Sequence, residues 1–287
     1  MNRDYFIDWA DFLDDDEKKA YGEIQQWEER PPSQLSLMKS LTVPLINEAR
    51  KLSPDLADKV AAAVKEALTS LRDYAGMTVI PDSIENKIKA IACSMPASGD
   101  GAELYTPLAC FDRAARECIL FNTAFATVEG VMSGALGITG MLIDIPMLYT
   151  MLFRVIQETG LCFGYFINSP EEKLYVMKIL ELGHTPEDSA RKEAIGELYT
   201  LHKAISGGVS LNTLKAKGAI TGFEAVSEKI AAAFSRRRLR NIFMLAGGIL
   251  GGAANFALTR QVADAAFHTY RRRFIMDRAR ARMSKRL

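Results

Sequence analysis

Two apolar segments rich in glycine constrain the fold of this chain more than any other feature. The first is VEGVMSGALGITGMLIDIPMLY at 128–149, and the second is NIFMLAGGILGGAANFAL at 241–258. Glycines four residues apart lie on one helix face, where the missing side chains let a second helix approach closely. Each costs a helix about 0.5–1 kcal/mol relative to alanine, so close packing must offset that loss. We therefore predict a helix-packing or lipid-facing seam formed by Gly130, Gly134, Gly137, Gly140, Gly247, Gly248, Gly251 and Gly252.

The two segments fit more than one environment. Fourteen uncharged residues precede Asp144 in the first segment, fewer than the roughly 20 that a membrane-spanning helix needs. The second has nineteen uncharged residues, 241–259, with arginines at both ends. A buried core, partial insertion at a membrane interface and a true span therefore all stay open. Neither segment contains the GxxxxGKS or GxxxxGKT pattern of a phosphate-binding loop, so nucleotide binding is not favoured.

Helical patterns account for most of the remaining sequence. Tyr21, Ile24 and Trp27 recur at three-residue spacing behind an acidic start, and Ser169-Pro170-Glu171-Glu172 is typical of a capping box with proline at the first helical position. Alternating β-branched strands are scarce. We predict an all-α fold, a multi-helix single domain organised around the two glycine-rich segments. Residues 1–30 are expected to form an acidic amphipathic helix, and 31–287 the helical domain itself.

Caps and helix breakers predict several boundaries. Asp144 is expected to cap a helix that begins at Ile145, with Pro146 in its first turn. The remaining predictions are helices over 34–52, 56–76 and 104–128, a short helix from Pro81, a loop over 95–103 and a glycine-containing linker over 206–222.

The net charge of +1 conceals a strong asymmetry along the chain. Residues 1–35 carry ten acidic and four basic side chains, whereas 236–287 carry thirteen Lys/Arg and two Asp. A basic amphipathic helix suits an anionic membrane, where each exposed cation adds about 1 kcal/mol, although a solvated helix face fits too. No nucleic-acid recognition module accompanies the arginines, so lipid ranks above nucleic acid. The candidate contacts are Arg236, Arg237, Arg238, Arg271, Arg272 and Arg273.

A longer stretch at 134–183, GALGITGMLIDIPMLYTMLFRVIQETGLCFGYFINSPEEKLYVMKILELG, resembles the central signature of the EcsC family. The matching positions are Asp144, Ile145, Pro146, Arg154, Gly164, Tyr165, Pro170 and Glu171. The family's C-terminal block is similar at Gly251, Gly252, Asn255, Ala265 and Arg273. The resemblance covers roughly 14–280 and implies a helical architecture. The family's name comes from an operon with an ABC-type exporter, an association that defines no activity.

Few residues carry recognisable catalytic or metal chemistry. His184, His202 and His268 have no metal-ligand partner at helical spacing, and His184 is expected in a solvated turn. The four cysteines have no CxxC spacing, which favours free buried thiols and a reducing compartment. The sequence therefore predicts no metal, no cofactor and a cytoplasmic protein, held peripherally at the inner face of the cytoplasmic membrane where it binds lipid.

Four polar residues near the glycine-rich segments form the candidate site. Arg154 and Glu158 are spaced for an ion pair on one helix face. Asn255 is polar within an apolar segment and needs hydrogen-bond partners when buried. We expect Asp144, Arg154, Glu158 and Asn255 to form a buried polar cluster where the two segments meet. Both a structural role and ligand contact stay open for this cluster.

Three classes of function are compatible with these features. The leading hypothesis is a non-catalytic protein that binds acyl chains, anionic membrane lipid or a membrane protein, in support of a transport or export system. The first alternative is a hydrolase with an acidic site near Asp144 and Glu158. The second is a structural or assembly module that associates through its glycine faces. The oligomeric state stays open.

Overall fold

The computed structural model describes residues 11–29, 55–74, 81–93, 106–134, 137–185, 188–244 and 250–286. At several helix ends only the backbone is described, including 127–134, 137–144, 236–244 and 250–254. The predictions of a helix over 34–52 and a loop over 95–103 lie outside the described residues.

Ten helices and no strand form the described part of the chain, which confirms the all-α fold. In order they are α1 (Asp15–Glu29), α2 (Leu56–Tyr74), α3 (Pro81–Cys93), α4 (Leu108–Gly134), α5 (Gly137–Cys162), α6 (Pro170–His184), α7 (Asp188–Ser206), α8 (Leu211–Ala216), α9 (Phe223–Met244) and α10 (Leu250–Arg286).

Side-chain capping fixes the start of α6 as the sequence predicts. Ser169 has an extended backbone, and its Oγ accepts a hydrogen bond from the Glu172 amide at 3.2 Å. Pro170 occupies the first turn, where its missing N–H has no helical partner to lose. The cap and the proline together explain why the chain turns into a helix at this residue.

Two predicted boundaries are wrong. The helix predicted to begin at Ile145 begins at Gly137, so Asp144 is an interior residue and Pro146 lies inside α5. The apolar residues before Asp144 continue the helix, although Pro146 lacks the N–H that would bond the carbonyl of residue 142. The predicted linker over 206–222 contains the short helix α8, because Ser210 caps its start.

The longest helix, α10, is the axis of the fold. It has 37 residues and packs against α1, α4, α5, α6 and α9. A single buried core joins all of these helices. Within it, α1 contributes Ala20, Ile24 and Trp27, and the Trp27 indole N–H donates to Asp264 of α10 at 2.5 Å. The division of the chain at residue 30 stays a prediction, but α1 shares the core of the other helices.

Two glycines let neighbouring helices approach α10 closely. A methyl group placed on Gly183 of α6 would lie 2.8 Å from the Val262 Cα, and one on Gly160 of α5 would lie 2.8 Å from the Tyr270 ring. Neither distance is tolerated between real atoms, so alanine does not fit at either position without movement. These contacts hold α5 and α6 against the middle of α10.

Candidate functional site

The predicted pair of Arg154 and Glu158 forms on α5. The Arg154 Nε donates to Glu158 Oε1 at 2.9 Å, and Glu158 is 7% exposed. A third residue, Asn122 of α4, donates its amide N–H to Glu158 Oε2 at 2.6 Å. Both carboxylate oxygens are therefore engaged, and the glutamate links α4 to α5. Sequence reasoning missed Asn122, although a lone Asn in the apolar run LFNTAF was a usable signal.

The other two predicted members of this cluster are placed only in part. The Asp144 backbone lies inside α5, and its side chain lies outside the description. Asn255 is 2% exposed near the start of α10. Their association with Arg154 and Glu158 therefore stays a prediction.

The glycine seam also stays a prediction. Gly130 and Gly134 fall in the last turns of α4, and Gly137 and Gly140 open α5. Gly251 and Gly252 lie in the first turn of α10, and Gly247 and Gly248 lie outside the described residues.

Arg271, Arg272 and Arg273 are buried, so the prediction that these three arginines contact an anionic surface was wrong. All three are 4–6% exposed. Arg271 donates to Glu23 at 2.7 Å and to Asp112 at 2.6 Å. Because Arg271 is buried and paired with two carboxylates inside the protein, its guanidinium does not reach a lipid phosphate.

The next two arginines are held in the same way. Arg272 donates to Glu28 of α1 at 2.8 Å, and its guanidinium lies on the ring of Tyr199. Arg273 donates through both terminal nitrogens to the two oxygens of Glu172, at 2.8 and 2.5 Å.

Part of the charge asymmetry of the sequence is therefore an internal pairing. Arg278 and Arg282 further along α10 contact Glu17 of α1, which is fully buried. The acidic start and the basic C-terminal region neutralise each other across the interface between α1 and α10. Arg236, Arg237 and Arg238 lie in α9, but their side chains are outside the description, so their predicted role is untested.

The histidines have structural partners. His184 was predicted in a solvated turn, but it is 6% exposed at the end of α6, and this prediction was wrong. Its Nδ1–H donates to the Leu180 carbonyl at 2.8 Å, and its Nε2 lies 3.1 Å from the Tyr149 hydroxyl. His268 stacks on Trp27 with ring centroids 4.6 Å apart. Within the described ranges, no group of three ligating side chains is placed to hold a metal ion.

A further charged network joins α7 to α10. His202 Nε2 lies 2.8 Å from Asp277 Oδ1, and the Tyr165 hydroxyl donates to Asp277 Oδ2 at 2.9 Å. Burial lowers the pKa of His202 and outweighs the opposing effect of Asp277. Burial raises the pKa of Asp277, but its hydrogen bonds from His202 and Tyr165 hold that pKa below its ordinary value. Asp277 therefore links His202 of α7 and Tyr165, which follows α5, to α10.

The most unusual surface feature is a row of large apolar side chains on α4. Leu120, Phe121 and Phe125 are 68%, 59% and 54% exposed. Positions 120, 121, 124 and 125 share one helix face. Earlier on the same face, Arg113 pairs with Glu117 at 3.2 Å. The outward face of α4 is thus charged in its first half and apolar in its second half. We call Leu120, Phe121 and Phe125 the α4 apolar face.

Two neighbouring helices expose large apolar residues in the same half of the bundle. Contacts from Arg271 to Asp112 and from Phe267 to Arg116 show that α10 runs antiparallel to α4. The same register places Phe256, which is 43% exposed, about level with residue 127 of α4. The contact from Asn122 to Glu158 sets the register of α5 and places the half-exposed Met147 about level with residue 133.

Comparison with known proteins identifies the family. The profile of the EcsC protein family matches residues 18–275. The chain belongs to the EcsC family. A relative, Uncharacterized protein YdbA of Bacillus subtilis (strain 168), is 23% identical over 172 residues, which cover 60% of this chain and 61% of that protein. The chain thus spans less than two thirds of this relative's length. No solved structure matches the chain significantly.

Several residues of the EcsC signature have structural roles here. Gly164 has a φ of 82° just after α5, a conformation that glycine adopts without strain, and the Tyr165 amide then bonds back to the Gly160 carbonyl. Tyr165 covers the Arg273 guanidinium with its ring centroid 4.0 Å away. Glu171 accepts a hydrogen bond from the Leu211 amide at 3.0 Å. These matched residues hold helix ends and α10 together.

The alternative of a membrane-spanning helix concerns the two glycine-rich segments, which lie within the residues matched by the EcsC profile. Within the described ranges, no helix combines the length and apolarity needed to cross a bilayer. The candidate span at 241–259 includes five residues, 245–249, that lie outside the description.

Proposed function

We propose that this EcsC family member is a non-catalytic protein that binds the surface of an anionic membrane through the α4 apolar face. The observation that carries the proposal is the exposure of Leu120, Phe121 and Phe125 side by side on one helix. Adjacent exposed aromatic and aliphatic side chains on a helix are typical of proteins that lie in the membrane interface.

The size of the apolar contribution supports reversible binding. Full burial of one Leu or Phe side chain is worth about 1.5–3 kcal/mol. Since each of the three residues is already partly covered, transfer of all three into lipid would gain roughly 3–5 kcal/mol. A gain of that size favours peripheral attachment that depends on additional charge contacts.

Cations border the α4 apolar face. Arg113, Arg116 and Leu120 line an open hollow of about 380 Å³ on the surface of α4, together with Asp112 and Glu117. Asp112 is already paired with Arg271. Arg113 is exposed in its pair with Glu117, and Arg116 lies over the Phe267 ring. In this proposal their remaining N–H donors bind lipid phosphate while the neighbouring apolar side chains enter the acyl region. Location at the inner face of the cytoplasmic membrane, near a transport system, belongs to this proposal.

A vesicle flotation assay tests the proposal. The full-length protein is mixed with phosphatidylglycerol and phosphatidylcholine vesicles at low salt, and the floating fraction is measured. We expect the wild type to float and Phe121→Ser/Phe125→Ser to reduce the floating fraction at least about tenfold, from the loss of apolar transfer. The matched control is Phe166→Ser, because Phe166 is 51% exposed after the far end of α5. This control should float like the wild type.

Three outcomes would contradict the proposal. Wild-type protein that stays at the bottom with anionic vesicles rules out lipid binding. An equal loss for Phe166→Ser shows that binding is not specific to the α4 apolar face. A wild-type dimer that Phe121→Ser/Phe125→Ser converts to a monomer, measured by light scattering without vesicle binding, assigns the face to self-association.

The alternative of a hydrolase with an acidic site near Asp144 and Glu158 stays a prediction, because the Asp144 side chain lies outside the description. Both Glu158 oxygens accept hydrogen bonds, from Arg154 and Asn122, which gives the carboxylate a structural role. The proposal therefore gives Glu158 a structural role and no catalytic one.

A further inference from the structure

Two thiols meet where α4 packs against α5. The Cys118 Sγ lies 3.7 Å from the Cys162 Sγ, and the two residues are 2% and 0% exposed. Both are free cysteines. A disulfide has an S–S length of about 2.05 Å, so the sulfur atoms need to close by less than about 2 Å. The hydrogen bond from Asn122 to Glu158, one helical turn away on each helix, holds the helices side by side.

A cation stands beside one of the two thiols. The Lys87 Nζ of α3 lies 3.5 Å from the Cys118 Sγ. The hydrogen bond from Cys162 lowers the pKa of Cys118, and Lys87 lowers it further, while burial opposes both. The same bond to Cys118, together with burial, raises the pKa of Cys162. The pair is therefore asymmetric. Cys118 is the better nucleophile, and Cys162 is the thiol that keeps its proton.

We propose that Cys118 and Cys162 form a reversible disulfide on reaction with a hydroperoxide such as hydrogen peroxide. The proposal concerns a modification site and does not depend on membrane binding. Lys87 acts as a positioning residue, because its ammonium stabilises the Cys118 thiolate without touching the oxidant.

The reaction balances with peroxide as the oxidant. The Cys118 thiolate attacks one peroxide oxygen, the O–O bond breaks, and hydroxide leaves while Cys118 becomes a sulfenic acid. The Cys162 sulfur then attacks the Cys118 sulfur, forming the S–S bond and breaking the S–O bond. The departing oxygen and the hydroxide of the first step leave as water, taking up the thiol protons. Two thiols are oxidised and one peroxide is reduced to two waters.

Access to the pair lies through α3. Lys87 and Ile88 are only half-buried, and residues 85, 86, 89 and 90 on the same helix are exposed. Because α3 is the helix that lies over Cys118, a small peroxide can pass it more readily than a bulky alkylating reagent can. We therefore expect peroxide to oxidise the folded protein under conditions where a large maleimide does not label either thiol.

Mass spectrometry tests the proposal on the reduced full-length protein. After millimolar peroxide, remaining thiols are blocked with N-ethylmaleimide in denaturant, and the tryptic peptides are analysed. We expect one cross-linked pair of peptides, containing Cys118 and Cys162, that dithiothreitol releases. Peptides that stay reduced, or that carry only sulfinic acid, would overturn the proposal. This readout needs no variant and so is independent of variant folding.

Variants separate the roles of the three residues. In Cys162→Ala, peroxide should stop at a Cys118 sulfenic acid, which dimedone traps when added in denaturant, whereas Cys110→Ala should form the cross-link as the wild type does. Lys87→Gln should raise the Cys118 pKa and slow oxidation about threefold for each unit of that rise. The fraction of Cys118 present as thiolate falls about tenfold per unit, but each thiolate becomes more nucleophilic, which offsets part of the loss. Lys87→Arg should retain the rate. An unchanged rate in Lys87→Gln would remove the lysine from the proposal, and dimedone labelling of Cys162 instead would reverse the assignment.

Discussion

The Arg273 guanidinium lies inside the protein beside the rings of Tyr165 and Tyr175, with centroids 4.0 and 4.9 Å away. Its two terminal nitrogens donate to the two oxygens of Glu172. Taking both charges out of water is costly, so the intact pair adds little net stability. Removing one partner leaves the other charge buried and unpaired, which costs far more.

We therefore expect Arg273→Met to lower the free energy of unfolding by about 3–5 kcal/mol, because Glu172 is left buried without its partner. The double variant Arg273→Met/Glu172→Met should recover most of the loss, because it buries no unpaired charge. Urea denaturation followed by circular dichroism measures both. A loss below about 1 kcal/mol in the single variant would show that water reaches Glu172.

Residue spacing predicts contacts only when they are local. The pair of Arg154 and Glu158 follows from its four-residue separation on one helix. The contact from Arg273 to Glu172 joins positions 101 residues apart, and Arg271 reaches Glu23 across 248. Sequence alone gives the charges of these residues but not the distances between them, which explains why buried arginines were interpreted as membrane contacts.

At the scale of helices, the crossing of α6 over α10 depends on Gly183. A methyl group there would lie 2.6 Å from a Val262 methyl group and 2.8 Å from its Cα. Gly196 in the interior of α7 has open space around the same position. The two glycines therefore differ in packing while both lie in helices.

We expect Gly183→Ala to lower the free energy of unfolding by about 1–3 kcal/mol through overpacking. The matched control Gly196→Ala should raise it by about 0.5–1 kcal/mol, because alanine favours helix and meets no neighbour. Thermal unfolding of both variants measures the difference. Stabilisation of both variants by the same amount would mean that α6 and α10 can move apart without lowering the free energy of unfolding.

Helix existence is predictable here, whereas helix ends and helix contacts are less so. The capping box at Ser169 marks the start of α6 because the signal lies in adjacent residues. The start of α5 is not predictable from Asp144-Ile145-Pro146, because this local capping signal lies in the interior of a longer helix that begins at Gly137. The close approaches at Gly160 and Gly183 lie outside the glycine-rich segments, and a single glycine in a helix gives no sign of its neighbour.

Across the whole molecule, α1 completes the environment of α10. It supplies Glu17, Glu23 and Glu28 to the arginines, and Ile24 and Trp27 to the core. Arg271 and Arg272 are both buried. Without α1, Arg271 would lose Glu23 and Arg272 would lose Glu28.

We expect deletion of residues 1–29 to abolish cooperative unfolding or to lower its midpoint sharply. The loss combines apolar burial with unpaired charges and is comparable to the roughly 5–15 kcal/mol of total stability of a typical domain. Far-UV circular dichroism during urea denaturation measures it. The control is Asp15→Asn/Lys18→Gln, whose exposed pair should matter by less than about 1 kcal/mol. An unchanged midpoint after deletion would support the division of the chain at residue 30.

The union of α1 with α10 has a consequence for biosynthesis. Glu23 leaves the ribosome 248 residues before Arg271, its partner. At bacterial or eukaryotic elongation speeds of about 5–20 residues per second, the nascent helix waits roughly 12–50 s before that arginine is made. During this interval the apolar side of α1 lacks its neighbours on α10, which makes the growing polypeptide a natural client for chaperones that shield exposed segments.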